Sequence, residues 1–227
     1  MTAVRVAIAA PADESVLVSP ATVALQGRLD EPVAIGLYFR WYSSLGPASK
    51  DHYALNEQAL TDAAAVLRPA LAAGTHVLTF AASDQLGQDA AAQAATRSGG
   101  VAGGAAGPTK CIVHVLRATL RAPAAGASLS KAGAQIDAEG PPLWGDAGYQ
   151  AINRLRYRLR FDPSPADGRP SADLVPALTV VAGGAVRYSG TLPPQLGSGA
   201  YTLRLRVEDK LDANVHAEDA RAVVITA

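Results

Sequence analysis

The chain has 227 residues, with 20 basic against 20 acidic side chains and a formal net charge of zero. That balance excludes a bulk electrostatic draw to nucleic acid or to an anionic membrane and leaves only local patches to act. Half the residues are apolar, but many are alanine and only 5% are aromatic, so any core depends on a few large side chains.

In chain order, Val4 to Ala9 reads as a strand rather than as a leader, because no basic segment precedes an uninterrupted apolar stretch there. No segment reaches the roughly 18 apolar residues needed to span a bilayer. The expectation is a cytoplasmic chain, with release inside a particle as the other route. Pro11 to Pro20 reads as a turn-rich crossing and Thr22 to Leu29 as a second strand. In Ile35 to Ser43, Ile35, Leu37, Phe39 and Trp41 fall on one face and Gly36, Tyr38, Arg40 and Tyr42 on the other. Trp41 is the expected centre of the core. Asp51 to Leu71 is ambiguous between a helical turn and a weak edge strand.

Thr75 to Ser83 belongs to a phrase that the chain writes twice. Gly74-Thr75-His76-Val77-Leu78-Thr79-Phe80 returns as Gly199-Ala200-Tyr201-Thr202-Leu203-Arg204-Leu205, at an offset of 125 (199 − 74) that holds through Asp84 and Asp209 to Leu86 and Leu211. A second echo links Val6-Ala7-Ile8-Ala9-Ala10-Pro11 to Ala118-Thr119-Leu120-Arg121-Ala122-Pro123. Two copies of one β module are implied, 1–117 and 118–227. Residues 88–108, rich in Ala, Gly, Gln and Ser, are expected to form a long mobile loop before the strand Lys110 to Leu116. The single cysteine, Cys111, excludes an internal disulfide and reads as buried rather than nucleophilic. The second module then follows with almost no linker. Its strands are Thr119 to Ala122, Leu155 to Phe161, Tyr201 to Val207 and Ala220 to Thr226, and Trp144 reads as a loop residue.

The opening strand ending in Pro, the aromatic Phe39-Arg40-Trp41 strand and the repeated Gly-x-[His/Tyr]-x-Leu-x-[Phe/Leu]-x-[Ala/Val]-x-Asp strand resemble bacterial immunoglobulin-like domains of the PKD and fibronectin type III kind. The resemblance implies an all-β fold of two tandem immunoglobulin-like Greek-key sandwiches, and it implies no enzyme. It also implies that Tyr201 ties down a corner through its hydroxyl, where the first module has His76 instead.

No residue constellation asks for a catalytic group, a cofactor or a metal. His52, His76, His114 and His216 lack metal-ligand spacing. Asp51 and His52 near several serines lack a nucleophile turn. The glycine run from Gly99 to Gly107 meets Pro108 and a strand instead of the helix that a phosphate loop needs. Asp162, Asp167 and Asp173 match no calcium-loop spacing and read as turn residues.

The most suggestive surface feature is arginine. Arg154, Arg156, Arg158 and Arg160 alternate with Leu155, Tyr157 and Leu159, and if the third and penultimate strands are neighbours they share an outer face with Arg204 and Arg206. Facing like charges require acids or a partner. Glu208, Glu218 or Asp219 are the expected balancing acids of a solvated face, and an acidic protein surface is the functional alternative. Aromatic stacking residues are not interleaved there, which disfavours nucleic acid. The expected function is a non-catalytic structural or protein-interaction subunit, with an accessory role in a phage-like or contractile particle as its setting. The alternative is a carbohydrate-binding or adhesive module of an exported system, using Tyr38, Tyr42 and Tyr53 as a glycan platform.

Overall fold

A computed structural model describes residues 6–29, 37–45, 53–56, 58–83, 110–139, 155–174, 179–180 and 185–227. Among them there is no helix. The chain divides into two compact units, the first reaching Val115 and the second opening at Leu116. Residues 88–108, Trp144 and the first part of the expected Ile35 to Ser43 strand lie outside the described residues.

The first unit contains β1 (Val6–Ala10), β2 (Ser15–Val18), β3 (Ala21–Thr22), β4 (Gln26–Leu29), β5 (Tyr38–Ser43), β6 (Tyr53–Ala54), β7 (Ala70–Leu71), β8 (Gly74–Ser83) and β9 (Lys110–Leu116). One sheet runs β2-β9-β8-β5-β6. Opposite it, β1 pairs with β4, β3 pairs with β7, and a bridge between Leu25 and Leu67 falls between these two pairs. The two-residue period of β5 and β8 turns Phe39, Trp41, Leu78 and Phe80 into the core. Trp41 is fully buried, as the alternation predicts, and lies 4.8 Å from Phe80, which stacks on Phe39 at 5.6 Å.

Several expectations need correction. The Pro11 to Pro20 crossing holds β2, which pairs with β9. The Thr22 to Leu29 strand is split into β3 and β4, joined by the single bridge at Leu25. Asp51 to Leu71 is neither a helical turn nor a continuous strand: it touches β5 at Tyr53–Ala54 and again where Leu60 bridges Phe39, then crosses to meet Leu25 at Leu67. Asn56 fills the gap between the first two contacts. Its Oδ1 accepts from the Trp41 N–H at 2.9 Å and its Nδ2 donates to Gln58 O at 2.6 Å, so a side chain does the work of a strand residue.

The second unit contains β10 (Thr119–Ala122), β11 (Ala127–Ser130), β12 (Ala134–Glu139), β13 (Leu155–Pro163), β14 (Ala172–Leu174), β15 (Thr179–Val180), β16 (Ala185–Gly190), β17 (Gly199–Asp209) and β18 (His216–Thr226). Its sheets run β10-β12-β16-β15 and β11-β18-β17-β13-β14. The chain thus enters in one sheet and changes to the other at β11, which lies parallel to β18 while the other pairs are antiparallel. With the same arrangement of edges and centre in the first unit, the fold is all-β, two tandem immunoglobulin-like Greek-key sandwiches. Leu159, Phe161, Tyr201, Leu203, Leu205 and Ile136 form the second core, fully buried.

The sequence echo is also a structural one. β1 and β10 both shift register on their way to Ala10 and Ala122, and both are followed by a cis Ala-Pro bond. β8 and β17 both open on a glycine with φ near +140°, Gly74 at 141° and Gly199 at 139°, a conformation that side-chain-bearing residues avoid.

The corner hydrogen bond is the reverse of that expected from the resemblance. The Tyr201 hydroxyl is buried and finds no hydrogen-bond partner among the described residues. Its ring is instead covered by Arg169, whose guanidinium lies 4.7 Å from the ring centroid and donates to Ser198 O and Ala200 O at 3.3 and 3.1 Å. In the first unit His76 is the tied residue. Its Nε2 donates to Ala72 O at 2.8 Å and its Nδ1 lies 2.7 Å from Ser43 Oγ.

Candidate functional site

Along β13 the buried residues Leu155, Leu159 and Phe161 point inward, so Arg156, Arg158 and Arg160 take the outer face. The antiparallel register with β17 sets Arg156 opposite Glu208, Arg158 opposite Arg206, and Arg160 opposite Arg204. Five arginines therefore share one sheet face. Arg154 lies outside the described residues.

Directly opposed arginines are stable only where carboxylates interleave. Glu208 is the most buried of these, with its side chain 5% exposed. Its Oε2 accepts from Arg206 Nε at 2.8 Å, and its Oε1 lies 3.2 Å from Arg158 Nε and 3.5 Å from Arg156 Nη1. Asp162 accepts from Arg160 at 2.7 Å and from Arg204 at 3.1 Å. Glu218 takes Arg204 Nη1 at 2.6 Å, and Asp173 lies 3.6 Å from Arg160. The pairs with Arg160, Arg204 and Ser171 hold the Asp162 carboxyl below its usual range against the opposing cost of burial. The five arginines, with Glu208, Glu218 and Asp173, border a shallow depression of about 330 Å³.

The charge on this face is polarised. Around Glu208 three guanidiniums meet one carboxylate, and around Asp162 two guanidiniums meet three. Glu218 stands opposite Arg206 in the register while its ion pair reaches Arg204, so by position the Glu208 end carries an excess of one positive charge and the Asp162 end is balanced.

Of the acids expected to balance the face, Glu208 and Glu218 do so and Asp219 does not. Asp219 lies opposite the buried Leu205 and accepts from the Leu120 N–H at 2.6 Å. Asp162 and Asp173 are therefore more than the expected turn residues, and the two-residue period of Arg158-x-Arg160-x-Asp162 is the signal that places Asp162 on the arginine face. Asp167 belongs to neither cluster and pairs with Arg169 at 2.8 Å.

The tyrosine platform is overturned. Tyr42 is only 3% exposed, its hydroxyl included in the interior, because β5 is covered on both faces from Trp41 to Ser43. Tyr38 is half-buried, and of the three only Tyr53 is exposed, at 41%. One exposed ring offers no platform for a sugar.

Of the other titratable candidates, Cys111, His76 and His114 are interior groups, His216 is half-buried, and Asp51 and His52 lie outside the described residues. Cys111 is buried, and desolvation, with Asp13 adding to it, pushes its thiol up to about 12, so it stays protonated and unreactive at neutral pH. His114 is buried with Nδ1 3.0 Å from Thr75 Oγ1. Among the described residues, no cluster of three or more His, Cys, Asp or Glu is arranged to hold a metal ion.

No protein-family model matches the chain, and neither does any curated protein. Among solved structures, the chain is similar to the fibronectin(III)-like modules of CbhA from Clostridium thermocellum, at 12% identity over 97% of this chain and 94% of that one, with a TM-score of 0.29. It is also similar to a tetra-tandem repeat from the extending region of a large adhesion protein, at 13% identity over 99% of this chain and 49% of that one, with a TM-score of 0.35. The fold assignment rests on the strand order.

Proposed function

We propose that the chain is a non-catalytic protein-interaction or structural subunit and that the polarised face of β13 and β17 is where it meets another protein subunit. The observation that carries this reading is the stacking of five arginines on one sheet face over a buried Glu208. A sheet surface needs no such arrangement merely to stay soluble. The buried histidines and Cys111 support the non-catalytic part, since their hydrogen bonds and burial serve packing. The proposal places the modules nearest the PKD and fibronectin type III domains, on the sequence resemblance. It also places the chain in the cytoplasm as an accessory or decorating component of a large assembly, a phage-like or contractile particle. The face being a sheet surface rather than a cleft favours such a role. A glycan-binding role loses its main support with the burial of Tyr42.

The test is mass spectrometry of what co-purifies with the tagged chain at native level from its own host. A defined large assembly is expected, and Arg158→Glu with Arg204→Glu should cut its recovery roughly ten-fold or more. Recovery of the chain alone, or of the same assembly with the charge-reversed variant, contradicts the reading.

A further inference from the structure

The two ends of the arginine face are not equivalent, and the difference specifies a partner. Arg206 is the most firmly held of the three around Glu208: its Nε holds Glu208 Oε2 at 2.8 Å and its Nη2 donates to Ala213 O at 2.7 Å. Arg156 and Arg158 share the remaining oxygen of Glu208 at the longer distances of 3.5 and 3.2 Å, while 46% and 43% of their side chains stay exposed. Among the described residues no other acceptor meets either guanidinium. Each guanidinium carries five N–H donors in a planar fork suited to a carboxylate.

From this geometry we infer that Arg156 and Arg158 bind an acidic, extended protein segment through carboxylates two residues apart. The inference rests on the interaction role proposed above and adds the partner's chemistry to it. The two arginines are separated by one residue on β13, so they point the same way about 7 Å apart. An extended strand bearing acids at alternate positions has the same spacing on one of its faces. Two such acids supply Arg156 and Arg158 with the carboxylates that one shared oxygen of Glu208 does not. Asp162 and Asp173, further along the face, already occupy Arg160 and repel the same segment, which fixes where along the face it lies.

The experiment is fluorescence anisotropy of the full chain with two labelled peptides of equal charge, Thr-Glu-Thr-Glu-Thr and Thr-Glu-Glu-Thr-Thr, read at low salt and at about 0.15 M salt. The alternating peptide is expected to bind saturably and at least about ten-fold more tightly than the block peptide. Arg156→Gln with Arg158→Gln should abolish that preference, while Arg121→Gln, on the opposite sheet, should leave it unchanged. The Gln variants keep the long side chains, and circular dichroism confirms that they fold. Single replacements of Arg156 and of Arg158, each expected to weaken binding several-fold, provide the same reading if the double variant does not fold. Equal affinity for the two peptides, complete displacement by inorganic phosphate at matched charge, or unchanged binding by the variants overturns the inference. Self-association that the double variant abolishes also overturns it, by assigning the face to a second copy. Because the peptide is supplied, its failure to bind leaves the co-purification test standing, and loss of the native assembly leaves the peptide result readable.

Discussion

Gly27→Ala is expected to destabilise the first module by about 3 kcal/mol, a large effect for one added methyl group. A Cβ at residue 27 would overlap Cε1 and Cζ of Phe80 and lie 2.7 Å from Cδ1. The ring has no room to retreat, because Phe39 stacks on it and Trp41 lies 4.8 Å from it. The second module shows how the conflict is resolved. Gly27 lies opposite Ile8 just before the register shift in β1, and Ala138 lies opposite Leu120 just before the equivalent shift in β10. Phe80 corresponds to Leu205 in the repeated strand. One core therefore pairs the smallest residue with a large ring, and the other pairs alanine with leucine. Phe80→Leu in the Gly27→Ala background should accordingly recover all but about 1 kcal/mol, a coupling expected only between residues in contact. In a Trp144→Phe background the remaining tryptophan is Trp41, so its fluorescence during denaturant unfolding reads this core. Additive losses in the double variant would show that Phe80 does not sit over Gly27.

Glu208→Gln is expected to cost about 2–3 kcal/mol in the second module. The substitution keeps the shape of the side chain and removes the carboxylate that Arg156, Arg158 and Arg206 share. Arg156 and Arg158 then lose the carboxylate they are paired with, and Arg158 faces Arg206 across β13 and β17. The loss is kept below that of a fully interior ion pair because the arginine side chains are 34–46% exposed and can turn toward water. Salt separates this from a simple packing loss. Raising the ionic strength should recover part of the stability of Glu208→Gln and should lower or leave unchanged that of the parent chain. A loss under about 0.5 kcal/mol, or one insensitive to salt, contradicts the role given to Glu208.

Strands were legible in the sequence where alternation was long and faced one core. β9 and β10 have the expected limits, and β13, β17 and β18 only run further. Legibility failed where the backbone is held by something without a period. β2 is four residues long, and its contribution is an edge pairing rather than a buried face. The segment after Tyr53 is held by Asn56 and by isolated bridges, which leave no repeating pattern. At the candidate site, the shared face of Arg158, Arg160, Arg204 and Arg206 followed from period and strand order, but the register that sets Arg158 opposite Arg206 and Arg160 opposite Arg204, and the sharing of carboxylates, did not. Which acid reaches which guanidinium depends on side-chain reach, as Asp219 shows by turning inward to Leu120 while Glu218, one residue earlier, reaches Arg204. Tyr42 failed for a related reason: alternation assigns a residue to one side of a sheet and cannot say whether that side is covered.

The most direct test of the claim that the second module meets its partner through this face is arginine footprinting. The free chain and the chain within its native assembly would be treated with phenylglyoxal and the modified arginines located by mass spectrometry. Arg156 and Arg158 are exposed in the free chain and should be modified there and protected in the assembly, while Arg121 and Arg187, paired with Glu139 and Asp137 on the opposite sheet, should react equally in both states. Equal modification of Arg156 and Arg158 in the two states would contradict the account.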